Sequence, residues 1–217
     1  MHLLQFSTSH YCRKARLALG YKQLPFTVEN LTPGLHALKL KPLTGTTTVP
    51  VLLPELEGQP RAIADSSHIF EFLDQHHPAD PVQRSQVKQL EDWLDESIGV
   101  ATRFVYYDYR AGAGKSIDPS LMSQAVIAIV RRQYGMNAAR VKLAGDRLAD
   151  ALHYLQQHWK DREYWVGSQI TAADLTTAAL LSPLALLPHY RAAHPWLFEK
   201  IATVHQRCGE PLPPGLA

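Results

Sequence analysis

Cysteine is scarce in this chain: Cys12 and Cys208 are the only two in 217 residues. Two cysteines cannot form the dense disulfide framework of a small secreted domain. No apolar run approaches the roughly 20 residues a membrane-spanning helix needs. The opening MHLLQFSTSH lacks the charged n-region, long apolar stretch and small-residue cleavage site of a secretory leader. A soluble protein in a reducing cytoplasm is the expectation, with no membrane partner. The net charge is only +2, and no basic stripe is interleaved with aromatics, which argues against a nucleic-acid partner. The histidines, including His76-His77, His153 and His158, show no recognised metal-ligand spacing, so no metal is expected. Internal repeats and low-complexity segments are also missing.

What is present falls into two rhythms. Through residue 77, short apolar runs alternate with helical patterns. HLLQF, FTVEN, VPVLLP and RAIAD read as strands; the segments from Tyr11, from Pro33 and from Ser66 read as helices. The order βαβαββα predicts a small mixed sheet with helices packed on it. Strands joined through helices are expected to pair in parallel, and the last two as an antiparallel hairpin. PADP at 78–81 reads as a break, giving a linker over 78–85. Residues 86–217 carry no strand signal. Val87, Leu90, Leu94, Ile98, Ala101 and Val105 mark one face of a long amphipathic helix. Asp118-Pro119, Asn137 and His194-Pro195 mark further helix starts. In SQITAADL, Thr171 and Asp174 form a capping box, and Ile170 and Leu175 a hydrophobic staple. The second half is therefore all-α.

Three stretches of the first half carry possible chemistry. Ser9 stands where a strand gives way to a helix. It can cap that helix, or donate its hydroxyl hydrogen to a bound thiolate. Cys12, in the first helical turn, is either a small buried hydrophobe or a thiol whose pKa the helix terminus lowers. Val49-Pro50 precedes an apolar strand. The proline opens the strand or, if cis, leaves the Val49 N–H and C=O free for a ligand backbone. Asp65, Ser66 and Ser67 lie between a strand and a helix. Either serine can cap the helix; alternatively helix N–H groups and a serine hydroxyl receive a carboxylate while Asp65 receives an ammonium. That pair of charges suits an α-amino acid terminus.

In combination, STSHYCRKARLAL, LKLKPLTGTTTVPVLL, ADSSHIFEFL and ITAADL, in this order, resemble four segments of the cytosolic glutathione transferases, over nearly the full chain. The resemblance is to members with a serine or cysteine at the active site. It implies a thioredoxin-like βαβαββα domain over 1–77 and an all-helical domain over 86–217. It also implies glutathione as co-substrate, a small hydrophobic electrophile as acceptor, a homodimer, and detoxification chemistry. Ser9 falls at the catalytic position and Cys12 three residues later, at the second cysteine of a glutaredoxin-like pair. Val49, beside a cis Pro50, would pair with the cysteinyl backbone of glutathione. Asp65 and Ser66, with Ser67 adjacent, would hold its γ-glutamyl end. Lys39, Lys41 or His36 would meet its glycyl carboxylate. Phe104, Tyr106, Tyr107 and Arg110, in TRFVYYDYR, would line the acceptor pocket between the halves, or else serve as interdomain packing. Lys41-Pro42 replaces the family's usual Asn-Pro. Two alternatives stand beside conjugation: a thioltransferase or dehydroascorbate-reductase-like redox activity through Cys12, and a non-catalytic ligand-binding protein of the same fold.

Overall fold

The structure is a computed structural model that describes residues 1–76 and 84–217. Four short strands form one mixed sheet in the order β2-β1-β3-β4: β1 His2–Gln5, β2 Thr27–Asn30, β3 Val51–Leu53 and β4 Ile63–Ala64. β1 and β2 are parallel, joined through helix α1, His10–Tyr21. β3 departs from the expectation of parallel pairing. It crosses to the far side of β1 through helix α2, His36–Thr44, and runs antiparallel to β1. β3 and β4 are antiparallel, as the short connection predicts. Helix α3, Ser66–His76, follows β4 directly.

Alternation along β1 splits the core in two, since successive strand side chains point to opposite faces. Leu3 joins the large cluster with Leu17, Ile69 and Leu73 of α1 and α3, whereas Leu4 joins Leu40 and Val51 beneath α2. α2 begins three residues after Pro33 and ends at a left-handed Gly45 (φ 74°).

The remaining elements are helical: α4 Arg84–Trp93, α5 Gly99–Ala111, α6 Leu121–Gln133, α7 Ala138–His158, α8 Ala172–Leu181, α9 Pro188–Ala193 and α10 Pro195–Arg207. The proposed break at 78–81 lies outside the described residues, and Arg84 and Ser85 already belong to α4. The long amphipathic face from Val87 to Val105 is interrupted by one π-helical turn, Leu94–Ile98. In that turn the Gly99 N–H bonds the Leu94 carbonyl, five residues back. The Tyr11 hydroxyl donates to the Asp95 carbonyl at 2.8 Å. The interrupted ladder thus gains a partner from outside the helix. α6 starts later than the Asp118-Pro119 signal. Asp118 accepts the Ser120 N–H at 3.1 Å in a local turn, and Ser120 is the cap, accepting the Ser123 N–H at 3.2 Å. Such side-chain bonds to nearby backbone compete with helix at the position they occupy. Asn137 caps α7 as its sequence position predicts, accepting the Arg140 N–H at 3.0 Å.

The large core cluster runs from the sheet through α1 and α3 into α8 and α10. α8 is buried from Ala173 to Leu181 and packs against α1. Its start is fixed by Asp174, which is buried. That carboxylate accepts the Thr171 N–H at 2.9 Å, the Thr171 hydroxyl at 2.8 Å and the Trp165 N–H at 2.8 Å. These bonds complete the capping box. Asp174→Ala strands two backbone donors and is expected to cost about 2–3 kcal/mol in urea unfolding. A loss below about 0.5 kcal/mol would show that the box is dispensable.

Candidate active site

The sheet register assembles one end of the first half. β1 ends at Gln5, beside the start of β3, and Val51 of β3 pairs with Leu4 on one side and Ala64 of β4 on the other. The segments that follow β1, precede β3 and follow β4 therefore emerge together. They carry Ser9, Val49-Pro50 and Asp65-Ser66. The Asp65 N–H donates to the Pro50 carbonyl at 3.2 Å, which ties two of the three segments directly.

Ser9 has extended backbone and caps α1: its Oγ accepts the Cys12 N–H at 3.3 Å, and its carbonyl accepts the Arg13 N–H at 3.0 Å. Accepting that bond leaves the hydroxyl hydrogen free to donate, with the buried Cys12 sulfur beside it as a competing acceptor. The Val49–Pro50 peptide is cis. Neither the N–H nor the C=O of Val49 has a backbone partner among the described residues.

Asp65 takes a φ of 77°. This is a left-handed conformation that non-glycine residues adopt mainly when they are Asn or Asp. Its Oδ1 accepts the Ser67 N–H at 2.8 Å. Asp65, rather than either serine, therefore satisfies the helix start. Its second carboxylate oxygen has no hydrogen-bond donor among the described residues. Ser66 is 1% exposed, and its hydroxyl has no hydrogen-bond partner among the described residues. A buried hydroxyl without a partner is uncommon, because it forfeits its bonds to water.

The other candidate residues have these surroundings. Cys12 is completely buried, and burial pushes its thiol pKa up rather than letting the helix terminus lower it. The Ser67 hydroxyl is committed elsewhere: it accepts from the Lys14 ammonium at 3.1 Å and donates to Glu91 at 2.7 Å. Lys39 is ion-paired to Glu29 at 2.5 Å and lines a groove with Leu53, Glu55 and Arg61. Leu53 pairs with His2, at the end of the sheet away from Ser9. Lys41 is exposed on α2. His36 instead packs edge-on against Phe6, just past the end of β1, with ring centroids 4.9 Å apart. Arg110 is buried and pins α5 to α6. Its guanidinium donates to the Tyr106 hydroxyl at 3.0 Å and the Ser123 hydroxyl at 3.0 Å. Phe104, Tyr106 and Tyr107 are half-buried on α5, and the two tyrosine rings meet edge to face, 5.2 Å apart.

Sequence reasoning missed Lys14, which is fully buried between α1, α3 and α4. Its ammonium contacts Glu91, Asp95 at 2.6 Å and Ser67. The available signal was positional, since Lys14 falls on the same helical face as Tyr11, Ala15 and Ala18. Among the described residues, no group of side chains is arranged to hold a metal ion, and no helix is long and apolar enough to cross a membrane.

Comparison with known proteins points the same way. Residues 3–81 match the family model for the glutathione S-transferase N-terminal domain. A probable glutathione S-transferase of Nicotiana tabacum is 28% identical over 155 residues, covering 67% of this chain and 66% of that protein. A glutathione S-transferase of Methylobacterium radiotolerans, solved with glutathione sulfonate, superposes with TM-score 0.72 at 22% identity, over 98% of this chain and 94% of that one. Another, from Methylobacillus flagellatus with glutathione bound, gives TM-score 0.66 at 20% identity, over 94% of each chain. Residues 3–81 thus match the glutathione S-transferase N-terminal domain, and the two-part fold is shared with solved glutathione S-transferases along nearly the whole chain.

Proposed function

We propose that this chain binds glutathione, stabilises its thiolate and transfers the sulfur to a small electrophile. The observation that carries the proposal is the convergence of Ser9, Val49 and Asp65-Ser66 at one end of the sheet, each with a hydrogen-bonding group that can serve a ligand. The parts match glutathione in chemistry. The free N–H and C=O of Val49 suit the cysteinyl backbone. The Ser66 hydroxyl and the α3 N-terminus suit the γ-glutamyl carboxylate, and the open Asp65 oxygen suits its ammonium. His36 is the residue favoured for the glycyl carboxylate, because Lys39 is engaged with Glu29. In this division residues 1–77 hold glutathione and residues 86–217 supply the acceptor side, with a homodimer as the assembly.

A free thiol has a pKa near 8.5, so little thiolate exists at neutral pH. The Ser9 hydroxyl can accept from the Cys12 N–H and donate to the glutathione sulfur at once. The α1 N-terminus adds partial positive charge at the same place. Both favour the anion, whose sulfur then attacks the electrophilic carbon as the leaving group departs with its electron pair or the acceptor double bond takes up a proton. Thiol redox chemistry through Cys12 is disfavoured, because that sulfur is buried and its pKa is raised.

The test is conjugation of glutathione to 1-chloro-2,4-dinitrobenzene. Ser9→Ala is expected to lower kcat/KM about a hundredfold, the scale for losing one anion-stabilising donor. Ser9→Gly removes the same hydroxyl while preserving the helix cap to within a few tenths of a kcal/mol, and it should fall equally. Glutathione binding without conjugation by the wild type would favour the ligand-binding alternative.

A further inference from the structure

Arg103 on α5 differs from the cations around it. Arg13 donates to the Ser182 hydroxyl at 2.5 Å, Arg110 to Tyr106 and Ser123, and Arg131 to Asp108 at 2.7 Å. Arg103 has no hydrogen bond or ion pair among the described residues. Its guanidinium carbon lies over the Tyr134 ring at 4.5 Å and over the Tyr11 ring at 5.0 Å. Contact with ring faces uses the cation's charge but none of its five N–H donors. The side chain is half-buried, and Glu96, a carboxylate in the same neighbourhood, forms no ion pair with it.

The location gives this unspent cation a use. Tyr11 is two residues after Ser9, and its hydroxyl is anchored to the Asp95 carbonyl at 2.8 Å. His10, one residue after Ser9, bonds the Gly99 carbonyl at 3.2 Å. Arg103 thus stands on the helical half, held against the same first turn of α1 that begins at Ser9. Tyr107 lies one turn further along α5, so aromatic surface surrounds the guanidinium.

We propose that Arg103 receives an anionic group on the acceptor, making the acceptor class an electrophile with a carboxylate on an apolar or aromatic body. This rests on the transferase reading of the site beside it. A guanidinium pairs with a carboxylate through two parallel N–H···O bonds, a fixed geometry that also orients the molecule. The Tyr11, Tyr107 and Tyr134 rings supply flat apolar contact for the acceptor's body. One guanidinium balances one negative charge, and the neighbouring Arg13 and Arg110 are already engaged, which favours a carboxylate over a dianionic phosphate.

The test uses two glutathione conjugates that differ in one charge: S-(4-carboxy-2-nitrophenyl)glutathione and its aryl methyl ester. Calorimetry measures each, and glutathione itself, on the full chain, with Arg103→Met and Arg103→Lys beside wild type. Wild type is expected to bind the carboxylate at least about tenfold more tightly than the ester, the scale of one charged hydrogen-bonded pair. Arg103→Met should abolish that preference while leaving glutathione and the ester within about twofold, and Arg103→Lys should keep part of it. Equal binding of the two conjugates by wild type overturns the proposal, as does a preference that survives in Arg103→Met. Loss of both conjugates and glutathione together in Arg103→Met would show a structural role and also overturn it. If wild type binds glutathione but neither conjugate, this inference fails and glutathione recognition stands; if it does not bind glutathione, both fail.

Discussion

Replacing Lys14 with methionine is expected to lower the unfolding free energy at pH 7 by about 3–5 kcal/mol, the cost of removing one partner from a buried ion pair. The Lys14 ammonium has no solvent exposure, and it contacts Glu91, Asp95 and Ser67 while lying 5.2 Å from the centre of the Phe70 ring. Methionine fills a similar volume but leaves Glu91 and Asp95, both buried, without their cation. The pH dependence identifies the cause. Burial already holds the Asp95 carboxyl above its ordinary pKa, with Lys14 pulling it back down. Without Lys14 it rises further, so the folded variant takes up a proton more readily than its unfolded chain. A carboxyl raised on folding favours the folded state at low pH, and that advantage is lost as pH rises through its folded pKa. The deficit of Lys14→Met relative to wild type should therefore shrink between pH 7 and pH 5 in urea titrations. A deficit under about 1 kcal/mol, or one that does not change with pH, would contradict this account of the network.

A second large effect belongs to two buried histidines. His10 is held down to a pKa of about 3, by burial first and then by Arg103 and Arg13. His205 is held down to about 4, chiefly by burial. Both are neutral in the folded protein at pH 7. Each donates to a carbonyl, His10 to Gly99 and His205 to Pro211 at 2.8 Å. A histidine whose pKa falls on folding binds its proton more readily in the unfolded chain. Stability is therefore intact above about 6.5 and is lost as pH falls toward 3 or 4, by up to about 1.4 kcal/mol per pH unit for each. The substitutions His10→Gln and His205→Asn keep an N–H donor at the bonded position and cannot titrate. Together they should flatten the fall in unfolding free energy between pH 6.5 and 4.5. An unchanged slope in the double variant would show that other groups set it.

Much of the fold was legible because short-range physics wrote it. The strands are short apolar runs bounded by turn residues, and the caps at Asn137 and Thr171 are local hydrogen-bonding arrangements that the nearby sequence specifies. Features set by distant partners were not. The antiparallel course of β3 depends on which edge of β1 it reaches, and the regular spacing from Val87 to Val105 conceals the π-helical turn that takes the Tyr11 hydroxyl. At the candidate site, the positions of Ser9, Val49 and Asp65 followed from strand and helix boundaries. The roles of Cys12, Ser67, Lys39 and Arg110 did not, because each is decided by burial or by a partner on another element: the core around Cys12, Lys14 and Glu91 at Ser67, Glu29 at Lys39, Ser123 at Arg110.

The central claim concerns one proton, that of the glutathione thiol beside Ser9. Its most direct test is the ultraviolet thiolate absorbance of bound glutathione titrated against pH, in wild type, Ser9→Ala and Ser9→Gly. Wild type is predicted to ionise the bound thiol well below its free pKa near 8.5, and both variants to return it by at least about one unit, or about 1.4 kcal/mol. An equally depressed thiol in all three proteins would contradict the assignment of Ser9 as the stabilising donor.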